Sequence, residues 1–165
     1  MPWAIVAVLA ASLLFVHYRF MRRDLSRVLM HWQEVEMALQ RRIGALKALI
    51  ESPLCPPEFI EAISRELHVL ENREDRRLSR LKQRAALESR LSSLLQKQLN
   101  GGGLTQDTRR ILEDVDSCIQ TALRYYDIAA NSYRYHFESV IGKLLSALPN
   151  FDRAPQIEIQ KLHFN

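Results

Sequence analysis

The chain has 165 residues, 47% of them hydrophobic and 25% charged, a composition that suits one folded domain and excludes an intrinsically disordered chain. Its two cysteines, Cys55 and Cys118, are too few for a secreted disulfide framework and are not spaced as a metal-binding pair. Lys and Arg exceed Asp and Glu by 23 − 19 = 4, a mild basicity that suits nucleic acid, anionic lipid or an acidic protein alike and selects none of them.

Glycine is scarce, and three of the 5 glycines stand together at 101–103, which predicts an all-α chain. The N-terminal run PWAIVAVLAASLLFV, Pro2 to Val16, carries no charge, and His17, Tyr18 and Phe20 let an apolar helix continue to about residue 21. A bilayer core needs roughly 20 apolar residues, with a lower limit near 17. Residues 1–21 therefore predict a transmembrane anchor, with Trp3, Phe15 and Tyr18 as its aromatic residues and Arg19, Arg22 and Arg23 at its far end. No basic stretch precedes the run, and HYRFMRRDLSR follows it in place of a small-residue cleavage site, so a retained anchor is expected over a cleaved signal peptide. The arginines lie on the C-terminal side, which places the N-terminus outside and the rest of the chain in the cytoplasm, against anionic headgroups.

Residues 22–149 predict a bundle of three long helices, over about 22–51, 57–99 and 105–148. The first carries Leu25, Val28, Trp32, Val35, Leu39, Ile43, Leu46 and Ile50 at helical spacing. SPLCPP ends it, and Pro57 suits the first turn of the next. The second helix carries Ile60, Ile63, Leu67 and Leu70, then Leu78, Leu81, Ala85, Leu91, Leu94 and Leu95. Between them ENREDRR, Glu71 to Arg77, implies a solvated or kinked middle. NGGGLTQD is the linker, with Thr105 or Asp107 as the cap of the third helix. That helix is expected to bury Ile111, Val115, Cys118, Ala122, Tyr126, Ala129, Tyr133, Phe137, Val140, Leu144 and Leu148. Cys118 reads as a small apolar filler. In the tail, residues 150–165, QIEIQ alternates as an extended segment does.

The stretch TALRYYDIAANSYRYHFESV, Thr121 to Val140, gathers four of the 5 tyrosines. Tyr126 and Tyr133 are seven apart on the predicted buried face, with Tyr125 and Tyr135 beside it, which reads as a core boundary rather than an active site. Arg124 and Asp127, three apart, can pair across one turn.

QTALRYYDIAANSY, Gln120 to Tyr133, resembles the signature of the LemA family: Arg124, Tyr126 and Tyr133 match, and Asp127 stands where that family usually has asparagine. WQEVEMALQRRIGALKALIE, Trp32 to Glu51, is similar to the family's first helix through Trp32, Val35, Glu36, Leu39, Arg41 and Arg42, and ALPNFDRAPQIEIQ is similar to its ending. Lys47-Ala48 replaces the family's Pro-Asn, NGGGLTQD replaces a Tyr-Pro turn, and the proline near Val140 is absent, as in a divergent member. The resemblance implies a protein of the bacterial cytoplasmic (inner) membrane with a cytoplasmic antiparallel bundle and no established enzymatic activity. It also implies work with membrane quality-control or remodelling systems, with a membrane zinc metalloprotease as one partner.

No motif for catalysis or cofactor binding is present in the sequence. No histidine has a glutamate three residues before it, and HExxH, GxSxG, CxxC and a Walker-type loop are all missing. His31 and His136 are the histidines able to meet across a bundle. RRLSRLKQRAALESR, Arg76 to Arg90, is basic, but Glu71, Glu74, Asp75 and Glu88 surround it and no aromatic interleaves, so a solvated face is expected and no nucleic-acid partner. The expectation is a non-catalytic protein without cofactor or metal, serving as an adaptor for a membrane protein or as a self-assembling scaffold. A second helix of about 43 residues would overshoot a first of about 32 beyond the membrane by about 16 Å at 1.5 Å per residue. A kink at Glu71 to Arg77 or an ordinary offset between unequal helices absorbs this length; otherwise Leu91, Leu94, Leu95 and Lys97 stand at a membrane or assembly surface.

Overall fold

The computed structural model describes residues 2–50, 57, 60, 61, 63–65, 68, 81–100, 105–148 and 151–163. These form helices α1 (Pro2–Ile50), α2 (Leu81–Asn100), α3 (Gln106–Glu138) and α4 (Val140–Leu145). Among the described residues there is no strand, and the tail 151–163 has no regular secondary structure.

The expected anchor and the first bundle helix are one unbroken helix of 49 residues, about 74 Å long at 1.5 Å per residue. Two different surfaces share this rod. Its apolar first part is exposed, with Trp3 82% and Phe15 62% accessible. Further along, Met21, Val28, Trp32, Val35, Leu39, Ile43 and Leu46 are buried at spacings of three, four and seven, as the sequence periodicity requires. α1 is long and apolar enough to cross a membrane, and only 6% of that apolar window is buried.

α3 packs along α1 in a fixed register. Ser139 meets His17, Ser132 meets Asp24 and Tyr126 meets Trp32, so position falls along α3 as it rises along α1. The Trp32 and Tyr126 rings meet edge-on with centroids 5.8 Å apart, an aromatic geometry worth about 0.5–1.5 kcal/mol beyond area burial. α3 buries Leu112, Asp116, Ile119, Leu123, Tyr126, Ala130 and Tyr133, with Ala122 and Ala129 beside them. That row alternates four and three. The expected stripe is therefore displaced by one residue in the first half of the helix: Ile111 is exposed and Cys118 is an exposed free thiol, not a filler.

α2 forms the later part of the expected second helix. Leu81 and Ala85 join the cluster that holds Met21 to Leu39 of α1. Leu91 and Leu95 join a second cluster with Ile43, Leu46, Leu49, Leu112 and also Ile63. α2 thus advances along α1 in the same sense, away from the apolar end. A single straight helix over 57–99 would separate Ile63 from Leu95 by about 48 Å, yet both pack in one cluster. Ile63 and Leu95 therefore do not lie on one straight rod, and the overshoot drawn from a straight second helix does not apply to them. Glu71 to Arg77 lie outside the described residues.

Thr105 caps α3 as expected, its hydroxyl accepting from the Thr108 N–H at 3.3 Å. The expected continuation to residue 148 fails at Ser139, whose extended ψ of 159° ends α3 and whose hydroxyl caps α4. The fold-back is tight: a Cβ on Gly142 would lie 2.1 Å from the His136 carbonyl oxygen and 2.6 Å from that of Phe137. Only glycine fits there, because both obstacles are backbone. α4 packs against α1 and α3. The tail then runs back over the helices, burying Phe151, Ala154, Ile157, Ile159 and Leu162.

Candidate functional site

The two tyrosines of the signature stretch hold the tail. Tyr126 donates its hydroxyl hydrogen to the Pro155 carbonyl at 3.0 Å, and Tyr133 donates to the Asp152 carbonyl at 3.1 Å. Seven helical residues advance about 10.5 Å, and three extended residues advance about 10 Å, so the spacings match. Burial raises the Tyr126 hydroxyl well above its ordinary value and pushes Tyr133 up to about 12. Both therefore stay protonated as donors. Both rings are fully buried on the face expected to be buried, while Tyr125 and Tyr135 beside it are exposed.

α2 grips the same strap. Gln96 donates from Nε2 to the His163 carbonyl at 2.9 Å and accepts the His163 N–H at 2.7 Å, so its amide imitates a neighbouring strand. Ser89 makes longer contacts with the Glu158 carbonyl and the Gln160 N–H, both at 3.4 Å. Between α2, α3 and the strap lies a groove of about 510 Å³ lined in part by Arg124, Asp127 and Glu158. Arg124 and Asp127 share this groove but, among the described residues, close no ion pair. Burial raises the Asp127 carboxyl, and Arg134 opposes that shift.

A charged cluster lies beneath, unforeseen in the sequence. Arg42 is 1% exposed, Glu88 0% and Asp116 2%. Arg42 Nη2 donates to Ser92 Oγ at 2.8 Å, and its Nη1 is 4.0 Å from Glu88 Oε2. Arg84 Nε approaches Glu88 Oε1 at 3.3 Å, and Asp116 Oδ2 accepts the Leu162 N–H at 3.3 Å. Burial lowers the Arg42 guanidinium below its ordinary value, against the pull of Glu88 and Asp116. Burial likewise raises Glu88 and Asp116, against Arg42 and, for Asp116, the Leu162 N–H. This cluster joins α1, α2, α3 and the tail at one point. Its neighbour Arg41 is exposed, so the arginine pair of the sequence divides into one interior and one surface residue.

At the apolar end of the bundle Arg19, Arg22 and Arg23 are exposed, as expected, while Tyr18 is half-buried against Phe151. His17 Nε2 lies 3.0 Å from Ser139 Oγ, whose own hydrogen goes to the His136 carbonyl at 2.7 Å. A hydroxyl has one hydrogen to give, so His17 Nε2 acts as the donor to it. His136 stacks on Phe20 and lies 3.5 Å from Asp24, whereas His31 stacks on Tyr125 and pairs with Glu34 at 2.9 Å. The two histidines do not meet. They are about 16 Å apart along α1, since His136 is level with Phe20.

The residues expected to form an assembly or membrane surface on the second helix fall elsewhere. Leu91 and Leu95 are fully buried, Leu94 is half-buried and Lys97 is exposed, all at the end remote from the apolar run. The exposed apolar row is on α3 instead: Ile111, Cys118 and Tyr125 recur every seven residues, as do Ile128 and Tyr135. A heptad row of this kind is the form of a helix-pairing seam. Beside it runs a groove of about 340 Å³ lined by Met37, Arg41, Ser117, Cys118, Thr121 and Tyr125 among others. Among the described residues, no three His, Cys, Asp or Glu side chains group as metal ligands would.

No family model, no curated protein and no solved structure matches the chain.

Proposed function

We propose that this chain is a single-pass membrane protein whose cytoplasmic, largely antiparallel helical bundle acts as a non-catalytic adaptor for another membrane protein. The observation that carries the proposal is the division of α1. One continuous helix is bare and apolar in its first part and core-forming in the rest. A soluble core helix would bury that apolar window, and a cleaved leader would not pack on the mature fold. Here the end of the apolar run does pack, through His17 on Ser139, Tyr18 on Phe151 and the fully buried Met21. Exposed Arg19, Arg22 and Arg23 follow, which fits the N-terminus outside and the bundle in the cytoplasm of a bacterial inner membrane.

The adaptor surface in this proposal is the exposed heptad row of α3, which offers an apolar seam to a partner helix. The relation to the LemA family belongs to the same proposal and rests on Trp32, Leu39, Arg42, Tyr126 and Tyr133, all interior residues here. A membrane zinc metalloprotease is the partner that this resemblance favours. The same row supports a second reading, in which copies of the chain pair through α3 and build a membrane scaffold.

Light scattering of the full-length protein in mild detergent, with mass spectrometry of whatever copurifies, separates the two. A small oligomer carrying one stoichiometric membrane partner supports the adaptor, and a uniform large homo-oligomer supports the scaffold. Tyr125→Asp with Ile128→Asp should abolish whichever association is seen. An association untouched by that double variant refutes the role given to α3.

A further inference from the structure

We propose that α4 and the turn after it form a second membrane contact, lying in the headgroup boundary beside the anchor. The proposal rests on the reading of Pro2 to Val16 as a membrane span. α4 is apolar on both sides. Ile141, Gly142 and Leu145 face inward, while Val140, Leu144 and Leu148 are 79%, 66% and 45% exposed at a regular spacing of four. An exposed apolar row on a helix that is also apolar inward calls for a buried or lipid setting at that row, with the exposed Lys143 at its edge.

Its position identifies the cover. The register of α3 on α1 sets Ser139 against His17, the residue that follows the uncharged run. α4 starts at that level and packs on α1, and within about one turn of His17 on α1, Leu13, Leu14, Phe15 and Val16 are all exposed. The bare residues of α4 thus stand at the level of the anchor's last turn. Exposed Arg19, Arg22 and Arg23 follow His17 within two turns of α1, and exposed Lys143 stands on α4 itself, cations of the kind an interfacial segment carries toward headgroups. Gly142 and the Ser139 cap fix α4 in this position by folding it against the end of α3.

The consequence is orientation. A bundle hung from one helix can turn about that helix, whereas a second contact beside it fixes which side of α3 faces neighbouring membrane proteins. The seam of Ile111, Tyr125 and Tyr135 is then presented in a set direction.

The test uses full-length protein bearing Cys55→Ser and Cys118→Ser, with one introduced label site at a time. Leu9→Cys reports the anchor, Leu144→Cys and Val140→Cys report α4, and Ile111→Cys reports the remote end of α3. Each carries an environment-sensitive fluorophore in vesicles of phosphatidylcholine and phosphatidylglycerol containing spin-labelled lipid. The labels at 140 and 144 should be quenched to an extent comparable with that at 9, while the label at 111 keeps its emission. Quenching at 9 without quenching at 140 and 144 overturns the α4 contact and leaves the anchor standing; the outer face of α4 would then belong to a protein partner. No quenching at 9 overturns the anchor and this inference with it.

Discussion

Replacing Arg42 by methionine removes the guanidinium of α1 that stands against Glu88 and Ser92 of α2 and acts on Asp116 of α3, while keeping most of the side chain's volume. Arg42, Glu88 and Asp116 are each no more than 2% exposed. Without the guanidinium Glu88 keeps Arg84 and Asp116 keeps the Leu162 N–H, but both buried carboxyls lose a cation that offsets their desolvation, and Ser92 loses a donor at 2.8 Å. Removing one partner of a buried ionic group costs about 3–5 kcal/mol, because the remaining charge stays desolvated. For a chain of this size about 1 kcal/mol moves the melting temperature by about 2–4 °C, so Arg42→Met should melt about 6–20 °C lower. Adding Glu88→Gln and Asp116→Asn to that variant should recover much of the loss, since neither buried carboxylate then remains. Thermal unfolding in detergent, followed by far-UV circular dichroism, measures both. A loss below about 2 °C for Arg42→Met, or no recovery in the triple variant, would refute the assignment of this cluster as a mutually compensated charged centre.

Tyr126→Phe and Tyr133→Phe should each lower stability by about 0.5–1.5 kcal/mol, the net worth of one buried hydrogen bond, and should speed amide exchange in residues 151–157; unchanged exchange would show that the hydroxyls do not hold the strap. Burial raises the Glu88 carboxyl, so the folded chain holds that proton more tightly than the unfolded chain. The resulting stability is present below the ordinary carboxylate range and is lost as pH rises through the raised value. The melting temperature of wild type minus that of Glu88→Gln should therefore fall from acid to neutral pH, and a constant difference counts against it. Gly142→Ala should destabilise the chain by about 1–3 kcal/mol, as overpacking does, and should open the 139–148 region to protease; wild-type melting and cleavage would show that the fold-back is not needed.

The apolar face of α1 was readable in the sequence because its stripe is uninterrupted: Val28, Trp32, Val35, Leu39, Ile43 and Leu46 are all buried as their spacing predicts. The Thr105 cap and the alternation of Ile157 and Ile159 in the tail were readable for the same reason, since each depends on neighbours in sequence. Polar residues hid the rest. The true row on α3 passes through Asp116, so a search for apolar periodicity settles one residue away on Ile111, Val115 and Cys118. Glu88 and Ser92 break the row of α2 in the same manner, and their partner Arg42 is 50 residues from Ser92, a distance at which no local pattern operates. The end of α3 at Ser139 depends on a backbone fold-back that Gly142 permits, and a lone glycine seldom announces that in sequence. The tyrosine spacing was visible, but its purpose needed the tail in place.

The most direct test of the central claim is the intact mass of the protein taken from membranes washed with alkaline carbonate. The account predicts that the chain stays in the membrane pellet and that its mass includes Pro2 to Phe20. A carbonate-soluble protein, or a mature N-terminus beyond Tyr18, would contradict it.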